Sequence, residues 1–82
     1  MKEIVIDCSR IDGPREFHFV LAKQLDFPEW YGNNLDALHD ILTGICENTH
    51  LRLMHFPAFA AGFRRVLEDA EKDNDYLTVT IC

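Results

Sequence analysis

The sequence predicts a two-layer α/β domain in which a three-stranded parallel sheet, order 1-2-3, carries about three helices. Three observations point there. Short runs with strand periodicity recur at the start, middle and end of the chain. Helical periodicities separate them, and strands spaced by helices favour parallel pairing. The last run, Tyr76-Leu77-Thr78-Val79-Thr80-Ile81-Cys82, alternates apolar and polar residues, so one sheet face meets water. If the helices all lie on the other face, right-handed crossovers step the strands in one direction.

The elements follow in order. Ile4-Val5-Ile6 is a continuous β-branched run, so residues 3–7 read as a buried strand. Asp12-Gly13-Pro14 gives a helix start with Pro14 near the first helical position. Phe17, Val20, Leu21 and Leu25 then mark one face of a helix that ends before Phe27-Pro28. Asn34 is the N-cap expected for a second helix, and Asp36 in its first turn suits the dipole there. Leu35, Leu38, Leu42 and Ile45 form its apolar stripe. Asp36, Asp40 and Thr43 fall opposite, with His39 at the edge. The helix is expected to stop near Glu47-Asn48, and Cys46 is read as a small core residue within its pattern. Leu51-Arg52-Leu53 is a second strand. Pro57 reopens a helix carried by Phe59, Phe63, Val66, Leu67 and Ala70 to about Asp73, with Asn74 at its end.

Composition narrows the function. Eighty-two residues make one domain, in which a chain of this size buries roughly 60–65 % of its unfolded surface. A net charge of −6 argues against nucleic acid as a ligand, since binding phosphates needs clustered cations. No apolar run reaches membrane-spanning length, and the chain opens on a strand-like segment rather than a leader, so the cytoplasm is the expected compartment. Cys8, Cys46 and Cys82 are odd in number and scattered, which suits reduced thiols.

Residues 24–51 hold no lysine or arginine, yet carry Asp26, Glu29, Asp36, Asp40 and Glu47. Such an unneutralised surface either meets a cationic partner or is merely solvated. The run Glu68-Asp69-Ala70-Glu71-Lys72-Asp73-Asn74-Asp75 is poorly placed for the helix dipole, which tilts it slightly towards use. Trp30 and Tyr31 sit in a connection constrained by Pro28 and Gly32. One ring is expected to pack inward and the other to stay available, beside carboxylates, as in interface hot spots. Catalytic readings are weaker. Asp36 and Asp40, with His39, could be imagined as an acid/base set of a small hydrolase, but a convex helix face gives no pocket to shift a pKa. His39 with Asp36 or Asp40, and His50 with His55, do not reach three metal ligands at a familiar spacing, so neither a metal nor a cofactor is expected. His18 reads as a solvated helix residue, and His50 and His55, which bracket a strand, as strand-end or interface residues.

The segment Pro28-Glu29-Trp30-Tyr31-Gly32-Asn33-Asn34-Leu35-Asp36-Ala37-Leu38-His39-Asp40-Ile41-Leu42-Thr43-Gly44 resembles the barstar family of ribonuclease inhibitors. The resemblance implies the same two-layer fold and a non-enzymatic inhibitor, expected to be monomeric when free. Its second helix and preceding loop would plug the active site of a basic extracellular-type ribonuclease or RNase toxin. Asp40 would mimic the scissile phosphate and Asp36 would make a second charged contact. Asn34, Leu35, Thr43 and Gly44 would line the interface, and Asp69, or its neighbour Glu68, would add an acidic contact from the third helix. Trp30 stands where the family commonly has tyrosine, and His39 where barstar has a bulky aromatic. Ile45 and Asn33 replace a tryptophan and an acid, and the stretch after His55 is shortened. Trp30 and His39 are therefore expected to set specificity in part. An immunity or regulatory protein acting on a target other than a nuclease is the alternative on the same fold.

Overall fold

The computed structural model describes all 82 residues. Strands β1 (Lys2–Asp7), β2 (Thr49–Met54) and β3 (Leu77–Ile81) form one parallel sheet in the order β1-β2-β3. Helices α1 (Pro14–Leu25) and α2 (Leu35–Thr43) join the first two strands, and α3 (Ala61–Asp73) joins the second to the third. This is the architecture expected from the periodicities. Register places Ile4 beside Leu51 and Val79, and Ile6 beside Leu53 and Ile81. These rows face the helices, and with Phe17, Leu21, Leu38, Leu42, Phe63 and Leu67 they form one apolar cluster. Phe17 stacks on Phe63 with centroids 4.5 Å apart, and Phe56 meets its edge, which locks α1 to α3.

Local chemistry explains the boundaries. Pro14 occupies the first position of α1, where its missing N–H is no loss. Asp26 ends that helix in the left-handed region at φ 56°, a conformation that Asp tolerates better than most residues. On the outer edge of β3, Glu71 of α3 accepts the backbone N–H of Val79 at 2.7 Å, which covers an otherwise unpaired strand edge.

Several expectations need correction. α2 stops at Thr43, not near Glu47-Asn48. The buried amide of Asn74 donates to the carbonyls of Leu42 and Ile45, both at 2.9 Å, so the far end of α3 supplies the cap. Cys46 consequently lies beyond the helix and is exposed, not in the core. Phe59 is exposed in a 3-10 turn, Ala58–Ala60, ahead of α3 rather than on its buried stripe. His50 is inside β2, half-buried, with only His55 at the strand end. His18 is 5 % exposed, because its Nδ1 meets the Tyr31 hydroxyl at 2.7 Å and its ring packs on Phe63.

Candidate partner-binding site

The connection from α1 to α2 is held at several points. The Phe27 N–H returns to the Ala22 carbonyl and the Tyr31 N–H to the Pro28 carbonyl, at 2.9 and 3.0 Å. Asn33 takes a left-handed φ of 52°. Asn34 is the N-cap anticipated from sequence: its side-chain oxygen accepts the Ala37 N–H at 2.8 Å, and its amide donates to the Gly32 carbonyl at 3.3 Å. A Cβ on Gly32 would sit 3.0 Å from that amide nitrogen, so glycine permits the close approach.

This scaffold sends the two adjacent rings in opposite directions. Tyr31 is buried, edge-on to Phe27 and hydrogen-bonded to His18, and desolvation pushes its hydroxyl pKa up to about 12. The same burial lowers the His18 pKa below the usual histidine value, so the pair stays uncharged at neutral pH. Trp30, by contrast, is 77 % exposed. One ring in and one ring out is the arrangement the constrained turn predicted.

Trp30 forms a wall of a groove of about 460 Å³, completed by Pro28, Ala37, Asp40, Ile41, Gly44 and Ile45. Asp36 and Asp40 are exposed on the outward face of α2, and no cationic side chain lies within 4.0 Å of either. Glu47, from the same cation-free stretch, is paired with Lys2 at 3.7 Å. Thr43 turns its hydroxyl back to the carbonyls of His39 and Asp40, each at 3.0 Å. Gly44 has an ordinary right-handed conformation, and a Cβ there would meet only backbone oxygens at 3.4 and 3.6 Å. Its backbone conformation is therefore open to other residues, and it lines the groove beside Asp40 and Ile45. Leu35 is half-buried, and its Cδ1 would be 3.1 Å from a Cβ on Gly62, so it joins α2 to α3 as much as it faces outward.

The third helix adds acids at the side. His39 Nε2 lies 3.2 Å from Asp73 Oδ2, bridging α2 and α3. Asp69 is exposed one turn before Asp73, on the same strip of α3. Glu68 is turned to Arg64 at 3.6 Å, which leaves Asp69 as the freer of the two carboxylates. Asp73, Ile41 and Ala37 are site neighbours that the sequence reading passed over. Asp73 was visible as one turn beyond Asp69, and Ile41 as an apolar residue lying off the core stripe. No three His, Cys, Asp or Glu side chains converge as metal ligands would.

Comparison with known proteins now decides the family. The family described as Barstar (barnase inhibitor) matches residues 1–80. The chain belongs to the barstar family. It is also similar to a protein of Bacillus subtilis (strain 168) named "Putative ribonuclease inhibitor YrdF", with 31% identity across 89% of each chain. The barstar-family match runs from β1 through all three helices into β3, so it covers the loop, groove and acidic strip together.

Proposed function

We propose that this barstar-family protein is a non-enzymatic inhibitor that blocks a basic ribonuclease by seating α2 and the loop before it in the enzyme's active site. The observation that carries the reading is the juxtaposition of an unpaired carboxylate with an exposed ring: Asp40 and Trp30 line the same groove. Asp40 takes the place of the scissile phosphate among the enzyme's cationic groups, and Asp36 makes a second charged contact. Asn34, Leu35, Thr43 and Gly44 complete the surface, and Asp69 reaches the rim from α3. Carboxylates already clear of cations need shed no internal partner when they meet an arginine or lysine, so little of the attraction is lost to rearrangement.

Trp30 and His39 set which nuclease is accepted. Trp30 offers a ring for stacking at the centre of the surface. His39 is smaller than the aromatic residue of barstar, and its attachment to Asp73 makes it a fixed wall rather than a free side chain. The partner is an extracellular-type ribonuclease or RNase toxin, met in the cytoplasm by a monomeric inhibitor. The experiment is titration of barnase-class ribonucleases with the pure protein. Stoichiometric loss of RNA cleavage by at least one enzyme is expected, with an association rate that falls as salt rises. Full activity of every enzyme at high inhibitor excess sinks the reading.

A further inference from the structure

His39 stands where α2 meets α3, inside a strip made of acids. On its own helix Asp36 lies one turn before it, and Asp40 is the next residue. α3 is the element packed against this side of α2, and it brings Asp73 beside the ring, with Asp69 one turn earlier. Of the cations on α3, Arg64 is turned to Glu68, and Arg65 and Lys72 are rotated about 80–100° from Asp73 around the helix. Residues 24–49 hold no lysine, no arginine and no other histidine, so His39 is the one side chain of the α2 face that can become a cation. The contact with Asp73 fixes the chemistry of its ring. An ionised carboxylate only accepts, so Nε2, 3.2 Å from Asp73 Oδ2, carries the hydrogen, and in the neutral ring Nδ1 is a bare acceptor. Nδ1 makes no hydrogen bond within the protein, yet no polar side-chain atom is buried without a partner, so Nδ1 reaches the surface.

We propose that His39 is a proton-dependent specificity determinant of the partner-binding face, and that Asp73 is its positioning residue. The neutral ring accepts a hydrogen bond through Nδ1 from a cationic side chain of the partner, and the protonated ring repels that cation. This rests on α2 being the inhibitory face, and it adds which protonation state that face needs. Protonation acts in two ways. Nδ1 becomes a donor, so it no longer meets an arginine or lysine. The imidazolium also supplies a positive charge to Asp36, Asp69 and Asp73, the carboxylates otherwise offered to the partner. Both effects oppose a cationic partner, so binding favours the neutral ring, and affinity falls as pH drops through the range in which an imidazole titrates. The contact with Asp73 survives, because Nε2 donates in either state. The fold therefore stays closed, and the change is confined to one charge and one hydrogen-bonding atom.

The test measures the affinity of the full-length protein for two probes, at about pH 8 and about pH 5.5, which bracket imidazole titration. One probe is a barnase-class ribonuclease. The other is the peptide acetyl-Arg-Arg-Arg-Arg-amide at low ionic strength, its contact with α2 located by amide chemical shifts. His39→Gln is the baseline, since it keeps a polar side chain and leaves any titration of the probe in place. On acidification the parent should lose at least about fivefold more affinity than His39→Gln, the effect of one added charge close by. At about pH 8, Asp73→Ala should weaken binding in the parent and markedly less in the His39→Gln background, whereas Asp69→Ala should cost the same in both. All three side chains are at least partly exposed, and unperturbed amide spectra verify that each variant folds. Parallel pH profiles for the parent and His39→Gln, affinity that rises in acid, equal Asp73→Ala losses in both backgrounds, or peptide shifts away from α2 would each overturn the proposal. The peptide separates it from the reading it rests on. A His39-dependent loss of peptide binding in acid, with no nuclease inhibited, would sink the inhibitor function and leave the role of His39 towards cations standing.

Discussion

Two polar surfaces of this molecule differ in one respect. On the open face of the sheet, charges and hydroxyls answer one another. His50 Nε2 meets the Thr80 hydroxyl at 2.7 Å, its Nδ1 lies 3.4 Å from Glu3, and Arg52 reaches the same carboxylate at 3.9 Å. All three strands take part: the register sets Glu3 beside His50 and Arg52 beside Thr80, so the His50–Thr80 and Arg52–Glu3 contacts run diagonally between neighbouring rows. On the outward face of α2, Asp36 and Asp40 answer nothing within the chain. A buried or bridged polar group is explained by the fold that contains it, whereas an unpaired one on a helix surface meets either solvent or a cationic partner. The difference separates groups that serve the structure from groups that the proposed function assigns to a partner, and it can be broken by mutation.

The largest effect is expected at Asp40. Asp40→Ala strands the cations it would meet in the complex, which commonly costs about 2–5 kcal/mol of binding, expressed chiefly as faster dissociation. Folding stability should stay within about 0.5 kcal/mol of the parent, because the carboxylate has no internal partner. Asp26→Ala and Glu47→Ala are the comparisons, the latter removing an acid that Lys2 already holds. Dissociation rates from an inhibited ribonuclease and urea midpoints measure both sides. Equal small losses for all three would reduce the α2 face to diffuse surface charge.

Trp30→Ala comes next. Truncating an aromatic at an interface centre often costs about 2 kcal/mol or more, whereas the exposed ring contributes little to the fold. Tyr31→Phe should do the reverse, since it leaves His18 without its hydroxyl partner and the loop less firmly held. Inhibition constants and thermal unfolding of the pair would show the exchange. If Trp30→Ala lowers stability and spares inhibition, the assignment of roles to the two rings is wrong.

How much of this division could be read in advance depends on where each partner lies in the chain. The N-cap Asn34, the stripe Leu35, Leu38 and Leu42, and the outward placement of Asp36 and Asp40 are all set within one or two helical turns, and the sequence showed them. The end of α2 was not legible, because its cap comes from Asn74, about thirty residues away. His18 was misread for the same reason. A histidine on a helix is solvated by default, and only the fold brings Tyr31 to its ring. The turn chemistry showed that Trp30 and Tyr31 would part, but which of them turned inward depended on that contact. Asp73 looked like part of a solvated acidic run until α2 brought His39 beside it.

A third prediction tests His18 through pH. Burial lowers its folded pKa below the unfolded value of about 6.5, so in that window the unfolded chain binds more protons than the native one. Stability should therefore be full above about pH 6.5 and decline as pH falls through the depressed folded pKa. Asp7, whose carboxyl is held below its ordinary range by the Ser9 backbone and side chain, acts in a separate, more acidic window and does not blur the result. His18→Gln keeps a polar group for the Tyr31 hydroxyl but cannot titrate. Its urea midpoint should be flatter between about pH 7 and about pH 5.5 than that of the parent. An unchanged slope would place the responsible proton elsewhere.

The smallest effect is expected on the sheet face, and it sharpens the comparison from the other side. Glu3→Gln removes the charge that His50 and Arg52 share but keeps an oxygen able to accept from either. All three side chains are at least partly in water, where such pairs contribute between 0 and about 1 kcal/mol. The Thr80 hydroxyl still holds His50 from the other side at 2.7 Å, so the ring keeps its place in β2. Urea unfolding should show a shift within that range, largest at low salt, and ribonuclease inhibition should not change, since the opposite layer of the domain carries the groove. A binding loss approaching that of Asp40→Ala would mean that the sheet face also meets the partner, and that self-satisfied polar groups do not mark the structural surface of this molecule.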